Sequence, residues 1–81
     1  AEKRVAHMLY KLAHEIGRKT SRGLLIEKKV TQEDIARLTG LSRVSVSLAL
    51  NHFEELDFLR KKRNVIVITD IEGLKNFIGP Y

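Results

Sequence analysis

The sequence predicts a single small α+β domain, in which helices form the core and a β-hairpin follows near the C-terminus. Two observations predict this class. Apolar residues recur at three- and four-residue steps in several segments, which is the period of an amphipathic helix, and two short β-prone runs flank a charged turn. The chain has 81 residues, of which 43% are hydrophobic, so it supports one modest core. We therefore expect residues 1–81 to form one domain.

The N-terminal part predicts a helix, a connection and a short strand. A helix over residues 2–18 would turn one apolar face inward. The polar stretch 17–23 would connect it to a strand at residues 24–27. The inward face of this helix would consist of the apolar residues at helical spacing, which are Val5, Met8, Leu9, Leu12 and Ile16.

A pair of helices is predicted in the middle of the chain. Thr31 can cap the first helix through its hydroxyl, and Asp34, three residues later, can return the bond with its carboxylate. This helix would extend to about Thr39 and be stopped by Gly40, which tolerates a positive φ. Ser42 can cap a second, longer helix. The residues expected to be buried are Ile35, Ala36 and Leu38 in the first helix and Val46, Ala49, Leu50 and Phe53 in the second.

The C-terminal part predicts a hairpin and a closing helix. Residues 59–61 and 65–69 are β-prone runs on either side of a charged turn. Asp70 can cap a last short helix, which Gly79 and Pro80 would end. The inward residues of this helix would be Leu74, Phe77 and Ile78.

Two helices separated by a tight turn that contains glycine are typical of a helix-turn-helix. Ala36 is a small residue where two such helices would cross, and Leu41 would fill the corner of the turn. A generic helical hairpin is the alternative. The β-hairpin would form a wing, whose four consecutive cations, residues 60–63, can lie against phosphates or, alternatively, protect a sheet edge as a solvated turn. Together these features predict a winged helix-turn-helix.

The charge of the chain favours a polyanionic partner. Fifteen Lys and Arg against ten Asp and Glu give a net charge of +5, and a basic small domain favours nucleic acid. RNA or a single strand fits less well than duplex DNA. The second helix of the pair has no outward aromatic residue for stacking on bases, and Phe53 and Phe58 have core positions.

Catalytic and metal sites are not predicted. The absence of cysteine excludes disulfides and thiolate metal sites. His7 and His14 are two turns apart rather than at the four-residue spacing of a helical chelate, and His52 is alone at the expected surface. Residues 54–57 contain an acidic cluster that we expect to be a solvated face, with a protein contact as the alternative. We expect no enzyme activity, no cofactor in this domain, no membrane contact and a cytoplasmic location.

The segment from Thr31 to Leu50 resembles the C-terminal DNA-binding domain of the cyclic-AMP receptor and fumarate–nitrate regulator (Crp/Fnr) family of transcription regulators. Its most specific part is Gly40-Leu-Ser-Arg-x-Ser-Val46. The resemblance extends to Arg4-Val-Ala-His-Met-Leu in the first helix, to the wing at residues 60–69 and to the closing helix at residues 74–79. Nearly the whole chain is therefore covered.

This resemblance implies a role for individual residues. The helix at about residues 42–56 would be the recognition helix in the major groove, and Arg43 matches a position that reads a guanine in some members. The residues implied to contact phosphate are Thr31, Gln32, Ser42 and Ser45, together with Lys61, Lys62 and Arg63 of the wing at about residues 59–69.

Two positions depart from the family pattern. The family often has an acidic residue at Val44 and arginine at Leu48, and neither side chain of this chain can hydrogen-bond a base. Both can contact thymine methyl groups instead, with Ser47 and Asn51 on an adjacent stripe. The expected base-reading set is therefore Arg43, Val44, Ser47, Leu48 and Asn51. In the alternative, Val44 and Leu48 anchor a protein partner, and the domain is an interaction module.

The resemblance also implies a larger bacterial parent protein. It would carry a sensor domain and a dimerisation helix, and two copies would read a near-palindrome with half-sites about one helical turn apart. The effector, and whether the protein activates or represses, are undetermined by these residues. RNA polymerase is the expected further partner of the full-length homodimer.

Overall fold

The computed structural model describes residues 2–26, 31–62 and 65–79, and it confirms the α+β class. The fold consists of four helices and one four-stranded antiparallel sheet. The elements in chain order are α1 (Glu2–Ile16), β1 (Arg18–Thr20), β2 (Gly23–Ile26), α2 (Gln32–Thr39), α3 (Arg43–Glu55), β3 (Leu59–Lys62), β4 (Val65–Ile68) and α4 (Ile71–Ile78). No helix in these described ranges is both long and apolar enough to cross a membrane.

Helix α1 ends two residues before the predicted boundary, because the amide of Gly17 closes the last turn on the carbonyl of Ala13 at 3.1 Å. Val5, Leu9 and Leu12 are buried as expected. Ile16 is not, since 51% of its surface is exposed. The inward position in the last turn belongs to Ala13, one turn after Leu9, and Ile16 lies where the chain turns away into β1.

The predicted connection at residues 17–23 is in part a strand. β1 pairs antiparallel with β2, with Arg18 opposite Leu25 and Thr20 opposite Gly23. All three residues of β1 are exposed, so its side chains show none of the apolar alternation by which a strand is recognised in a sequence. The strand predicted at residues 24–27 begins one residue earlier, and Glu27 lies outside the described residues.

The two hairpins join into one sheet with the order β1-β2-β4-β3. Leu24 on β2 lies opposite Ile68 on β4, and Ile68 lies opposite Leu59 on β3. Close approach at this seam requires glycine, because a Cβ atom on Gly23 would lie 2.2 Å from the carbonyl oxygen of Ile68. The predicted small antiparallel sheet therefore includes β1 and β2, because β2 pairs with the wing strand β4.

Helix α2 buries a different residue from the one expected. Leu38 is 58% exposed, whereas Thr39 is only 6% exposed. Thr39 lies one full turn after Ile35 and therefore shares its inward face, while Leu38 is rotated away from that face. The Thr39 hydroxyl donates to the Ile35 carbonyl at 2.7 Å, so this buried polar group is satisfied.

The core is centred on Phe53 of α3, which is fully buried. Its ring packs edge-to-face against Phe77 of α4, with centroids 5.1 Å apart. Phe58, after α3, is half-buried and packs on the same cluster. Leu74 is fully buried, and Phe77 and Ile78 are half-buried against the core, as predicted for the closing helix.

The predicted capping box of α2 is present. The Asp34 amide donates to the Thr31 hydroxyl at 3.1 Å, and the Thr31 amide donates to the Asp34 carboxylate at 3.0 Å. That donation from the Thr31 backbone, followed by the hydrogen bond from Arg37, lowers the pKa of the Asp34 carboxyl. A lowered pKa in the folded state stabilises the fold above the carboxyl's unfolded pKa, and this contribution is lost as the pH falls through the folded value.

Asp34→Asn should therefore lower the melting temperature at neutral pH, and the difference from the parent should shrink as the pH falls through the range in which Asp34 is protonated. Thermal unfolding followed by circular dichroism across a pH series measures this. Glu33→Gln removes the same charge from the same helical turn but leaves the hydrogen bonds of the capping box in place. It should therefore lower the melting temperature by less. A difference for Asp34→Asn that stayed constant into strong acid would contradict the role of the carboxylate.

Candidate nucleic-acid interface

The turn between α2 and α3 has the geometry that the sequence predicted. Gly40 takes a left-handed conformation with φ of 75°. Its amide and that of Leu41 both donate to the Ala36 carbonyl, at 2.9 and 3.1 Å, which closes the end of α2. Leu41 is half-buried and packs against the core, so it does fill the corner. Residues 40–42 form the whole turn between α2 and α3. A turn this short restricts the angle at which the two helices can pack.

The two serines at the start of α3 hold its first turn. The Ser42 hydroxyl accepts from the Ser45 amide at 3.0 Å, which is the predicted N-cap. The same hydroxyl lies 3.0 Å from the Ser45 hydroxyl. Because Ser42 uses its one hydroxyl hydrogen in this contact, the Ser45 hydroxyl is the one that retains a donor for an outside acceptor.

Helix α3 divides into a packed face and an outward face. Its packed face is the predicted one and consists of Val46, Ala49, Leu50 and Phe53, all buried. On the outward face, Val44 is 69% and Leu48 is 64% exposed, and they lie one turn apart. Arg43 and Asn51 are also exposed, and Ser47 is half-buried. The five residues predicted to read bases thus lie away from the core on one helix.

The wing strand β3 alternates between exposed and covered side chains. Arg60 and Lys62 are exposed, whereas Lys61 is half-buried. The Lys61 ammonium donates to the Asn51 side-chain oxygen, and its backbone N–H donates to the Glu54 carboxylate at 3.0 Å. Lys61 therefore joins the wing to α3 by two hydrogen bonds. Arg63, at the predicted wing tip, lies outside the described residues.

A cleft of about 340 Å³ separates the start of α2 from the wing. It brings together four of the predicted phosphate-contacting residues with the predicted guanine reader. Its lining consists of Thr31, Gln32, Glu33, Arg43, Leu50, Lys61, Lys62, Val65 and Ile66. The N-terminus of a helix and the cations of the lining favour an anion, whereas the carboxylate of Glu33 in the same lining opposes one.

Contacts between distant parts of the chain position the helix pair. His52 is not alone, because its Nδ1 atom lies 2.7 Å from a carboxylate oxygen of Glu2 on α1. Arg4, also on α1, donates to the carbonyl of Thr39 at the end of α2 at 3.2 Å. Sequence reasoning missed both contacts, since the partners are 50 and 35 residues apart and no local pattern joins them.

The acidic cluster at residues 54–57, at the end of α3, contacts the wing. Glu54 accepts from Lys61, and Asp57 accepts from Arg60 at 3.3 Å. Glu55 and Asp57 are exposed, as expected for a solvated face, and Glu54 and Asp57 also contact the wing. Within residues 2–26, 31–62 and 65–79, there is no group of three His, Cys, Asp or Glu side chains that could hold a metal ion.

Comparison with known proteins assigns the family. Residues 3–77 match the model of the Crp-like helix-turn-helix domain. A CRP-like cAMP-activated global transcriptional regulator of Mycobacterium tuberculosis is 37% identical over 71 residues, which are 88% of this chain and 32% of that protein. The chain therefore spans about a third of the length of the curated relatives it matches.

Solved structures agree with this assignment. The CO-dependent transcription factor CooA from Carboxydothermus hydrogenoformans, in its imidazole-bound form, has a TM-score of 0.88 at 29% identity over 96% of this chain and 36% of its own. A CRP-family transcriptional regulator from Thermus thermophilus has a TM-score of 0.86 at 24% identity, covering 98% of this chain and 40% of its own, which supports the fold alone. This chain belongs to the Crp-like helix-turn-helix domain family and has the winged helix-turn-helix fold of Crp-family regulators.

Proposed function

We propose that this chain is the sequence-specific, duplex-DNA-binding domain of a transcription regulator. The helix at about residues 42–56 enters the major groove, and the wing at about residues 59–69 lies on phosphate. The observation that carries the proposal is the outward face of α3, where Val44 and Leu48, the most exposed of the large apolar side chains in the described residues, lie on the same helix as the exposed Arg43. Membership of a family of transcription regulators supports the class of function.

Arg43 reads guanine in this proposal, because its forked side chain can donate to O6 and N7 together. Val44 and Leu48 contact thymine methyl groups, which an acidic residue or an arginine at these positions would not favour. Ser47 and Asn51 complete the base-contacting stripe. The site should therefore contain A·T pairs next to the guanine contact.

Phosphate contacts fix the register of the helix on the duplex. At the start of α2, the capping box uses the N–H groups of Thr31 and Asp34; the N–H groups of Gln32 and Glu33 belong to the first turn, which lacks intrahelical partners and where anions bind readily. Lys62 is exposed on β3, and Lys61 lines the same cleft. The remaining proposed phosphate contacts are Ser42, Ser45 and Arg63.

The parent protein, by the same proposal, is a bacterial, cytoplasmic homodimer that reads a near-palindrome and contacts RNA polymerase. No cofactor is assigned to this domain, and no catalytic role. The named relatives respond to different effectors, cyclic AMP in one and CO in another. Membership of the family therefore leaves the effector of this regulator open.

The exposure of Val44 and Leu48 also favours a second candidate function, in which this face anchors a protein rather than DNA. An apolar pair on one helix face suits a groove of a partner protein. The two candidates differ in what the pair contacts, thymine methyl groups or apolar side chains, so a change to the DNA alone separates them.

Replacing thymine by uracil in an A·T-rich duplex removes the methyl groups and leaves the hydrogen-bonding edges intact. We expect the chain to bind the uracil duplex several-fold more weakly, since each buried carbon group contributes about 0.8 kcal/mol. Fluorescence anisotropy with both duplexes at low salt measures the ratio. The variant Val44→Ala/Leu48→Ala should bind both duplexes alike, and Ile16→Ala, which removes an exposed apolar residue elsewhere, should keep the ratio. Equal binding of both duplexes by the parent would exclude the methyl contacts, and no duplex binding would favour the protein-interaction module.

A further inference from the structure

Asn51 on α3 and Lys61 on β3 form a polar contact between the recognition helix and the wing. Both residues belong to the surfaces assigned above, Asn51 to the base-contacting stripe and Lys61 to the wing. The contact changes what each can offer to DNA. The inference drawn from it deepens the proposed function and rests on it.

The chemistry of lysine fixes the orientation of the Asn51 amide. An ammonium group carries three donors and no acceptor, whereas an asparagine amide has one accepting oxygen and one donating NH₂ group. Lys61 can therefore contact only the oxygen of Asn51. The NH₂ group is left pointing away from the wing strand, and Asn51 is exposed at this position.

Lys61 is held in place at its base. Its backbone N–H donates to the Glu54 carboxylate at 3.0 Å, and it lies opposite Ile66 in the β3–β4 ladder. Its side chain is half-buried, unlike those of its neighbours Arg60 and Lys62. A side chain anchored in this way keeps its ammonium near Asn51 more readily than a free surface lysine would.

We propose that Lys61 holds the Asn51 amide so that the recognition helix presents only donors at this position, and that the pair therefore selects guanine over adenine. Guanine offers two neighbouring acceptors, N7 and O6, in the major groove. Adenine offers one acceptor and one donor there. The Asn51 NH₂ group and the remaining N–H groups of Lys61 match guanine and leave the adenine donor without a partner.

Free asparagine has the opposite preference. With both its oxygen and its NH₂ group available, it pairs with N6 and N7 of adenine. Lys61 is accordingly a positioning residue that reverses the preference of Asn51, a role beyond the phosphate contact proposed above. Removing its ammonium should switch the preferred base, which a purely structural or purely electrostatic role would not do.

The test measures base preference at each position by selecting bound sequences from random duplexes with the chain at low salt, where binding is strongest. Asn51→Ala first identifies the position that Asn51 reads, as the one whose preference disappears. Lys61→Met then removes the ammonium, and Lys62→Met removes the same charge from the adjacent exposed lysine. Circular dichroism checks that each variant is folded.

At the Asn51-dependent position, we expect the parent and Lys62→Met to prefer guanine over adenine by about ten-fold, the scale of one good base contact, and Lys61→Met to prefer adenine. Lys62→Met should lose affinity for all sequences without this switch. Three results would overturn the inference without contradicting sequence-specific binding. They are an adenine preference in the parent, a guanine preference in Lys61→Met, and the absence of any position that responds to Asn51→Ala. Absence of any motif in the parent would instead contradict the proposed function, and the inference with it.

Discussion

Replacing Phe53 by alanine should lower the free energy of unfolding by about 3–5 kcal/mol, the range found when a large aromatic residue is removed from a core. Phe53 is fully buried on the packed face of α3. Its ring contacts Phe77, and its centroid lies 6.1 Å from that of Phe58. The variant loses both the apolar burial and these ring contacts, and a cavity remains behind α3.

Such a loss is a large fraction of the total stability, since native proteins are stable by only about 5–15 kcal/mol. Chemical denaturation followed by circular dichroism measures it. Phe53→Leu keeps much of the volume and should cost considerably less. A loss below about 1 kcal/mol for the alanine variant, well under the usual range, would show that the core does not depend on α3 in the way described.

Arg43→Ala should reduce discrimination between the preferred duplex and unrelated duplexes by about 1–3 kcal/mol, the contribution of one bidentate base contact. Arg43 is exposed at the first position of α3 and lines the cleft beside the wing. Its loss removes a charge as well as a base contact. Affinity for unrelated duplexes should therefore also fall, but by much less.

Binding to the preferred duplex and to a scrambled one, measured at the same salt concentration, gives this discrimination. Arg22→Ala provides the matched control, because Arg22 is an exposed arginine on the β1–β2 turn that is remote from α3 in the sequence and lines a different cleft from Arg43. This control should leave discrimination unchanged. If Arg43→Ala weakened every duplex equally, Arg43 would be a phosphate contact and not a base reader.

Local features of the helix pair were predictable from the sequence. Thr31 with Asp34, and Ser42 with Ser45, form hydrogen bonds between residues three apart, so the spacing that produces them is visible in the chain itself. Gly40 ends α2 for an equally local reason, since glycine adopts a left-handed conformation at little cost. These short-range interactions placed the turn and with it the recognition helix.

Features that depend on distant contacts were not predictable in this way. β1 exists because it pairs with β2, and its exposed residues carry no apolar signal. The partner of His52 is Glu2, and the partner of Lys61 is Asn51, and nothing in either local sequence identifies the other. The candidate site is thus predictable as a set of residues on α2, α3 and the wing. Which of those residues contact one another, and hence what they offer to DNA, required the folded chain.

Selection from random duplex DNA with this domain fused to a dimerising helix tests the central claim most directly. Dimerisation restores the avidity that a single domain lacks. The account predicts enrichment of an inverted repeat, with half-sites about one helical turn apart and A·T pairs opposite Val44 and Leu48. Recovery of sequences without a shared motif would contradict sequence-specific reading by α3.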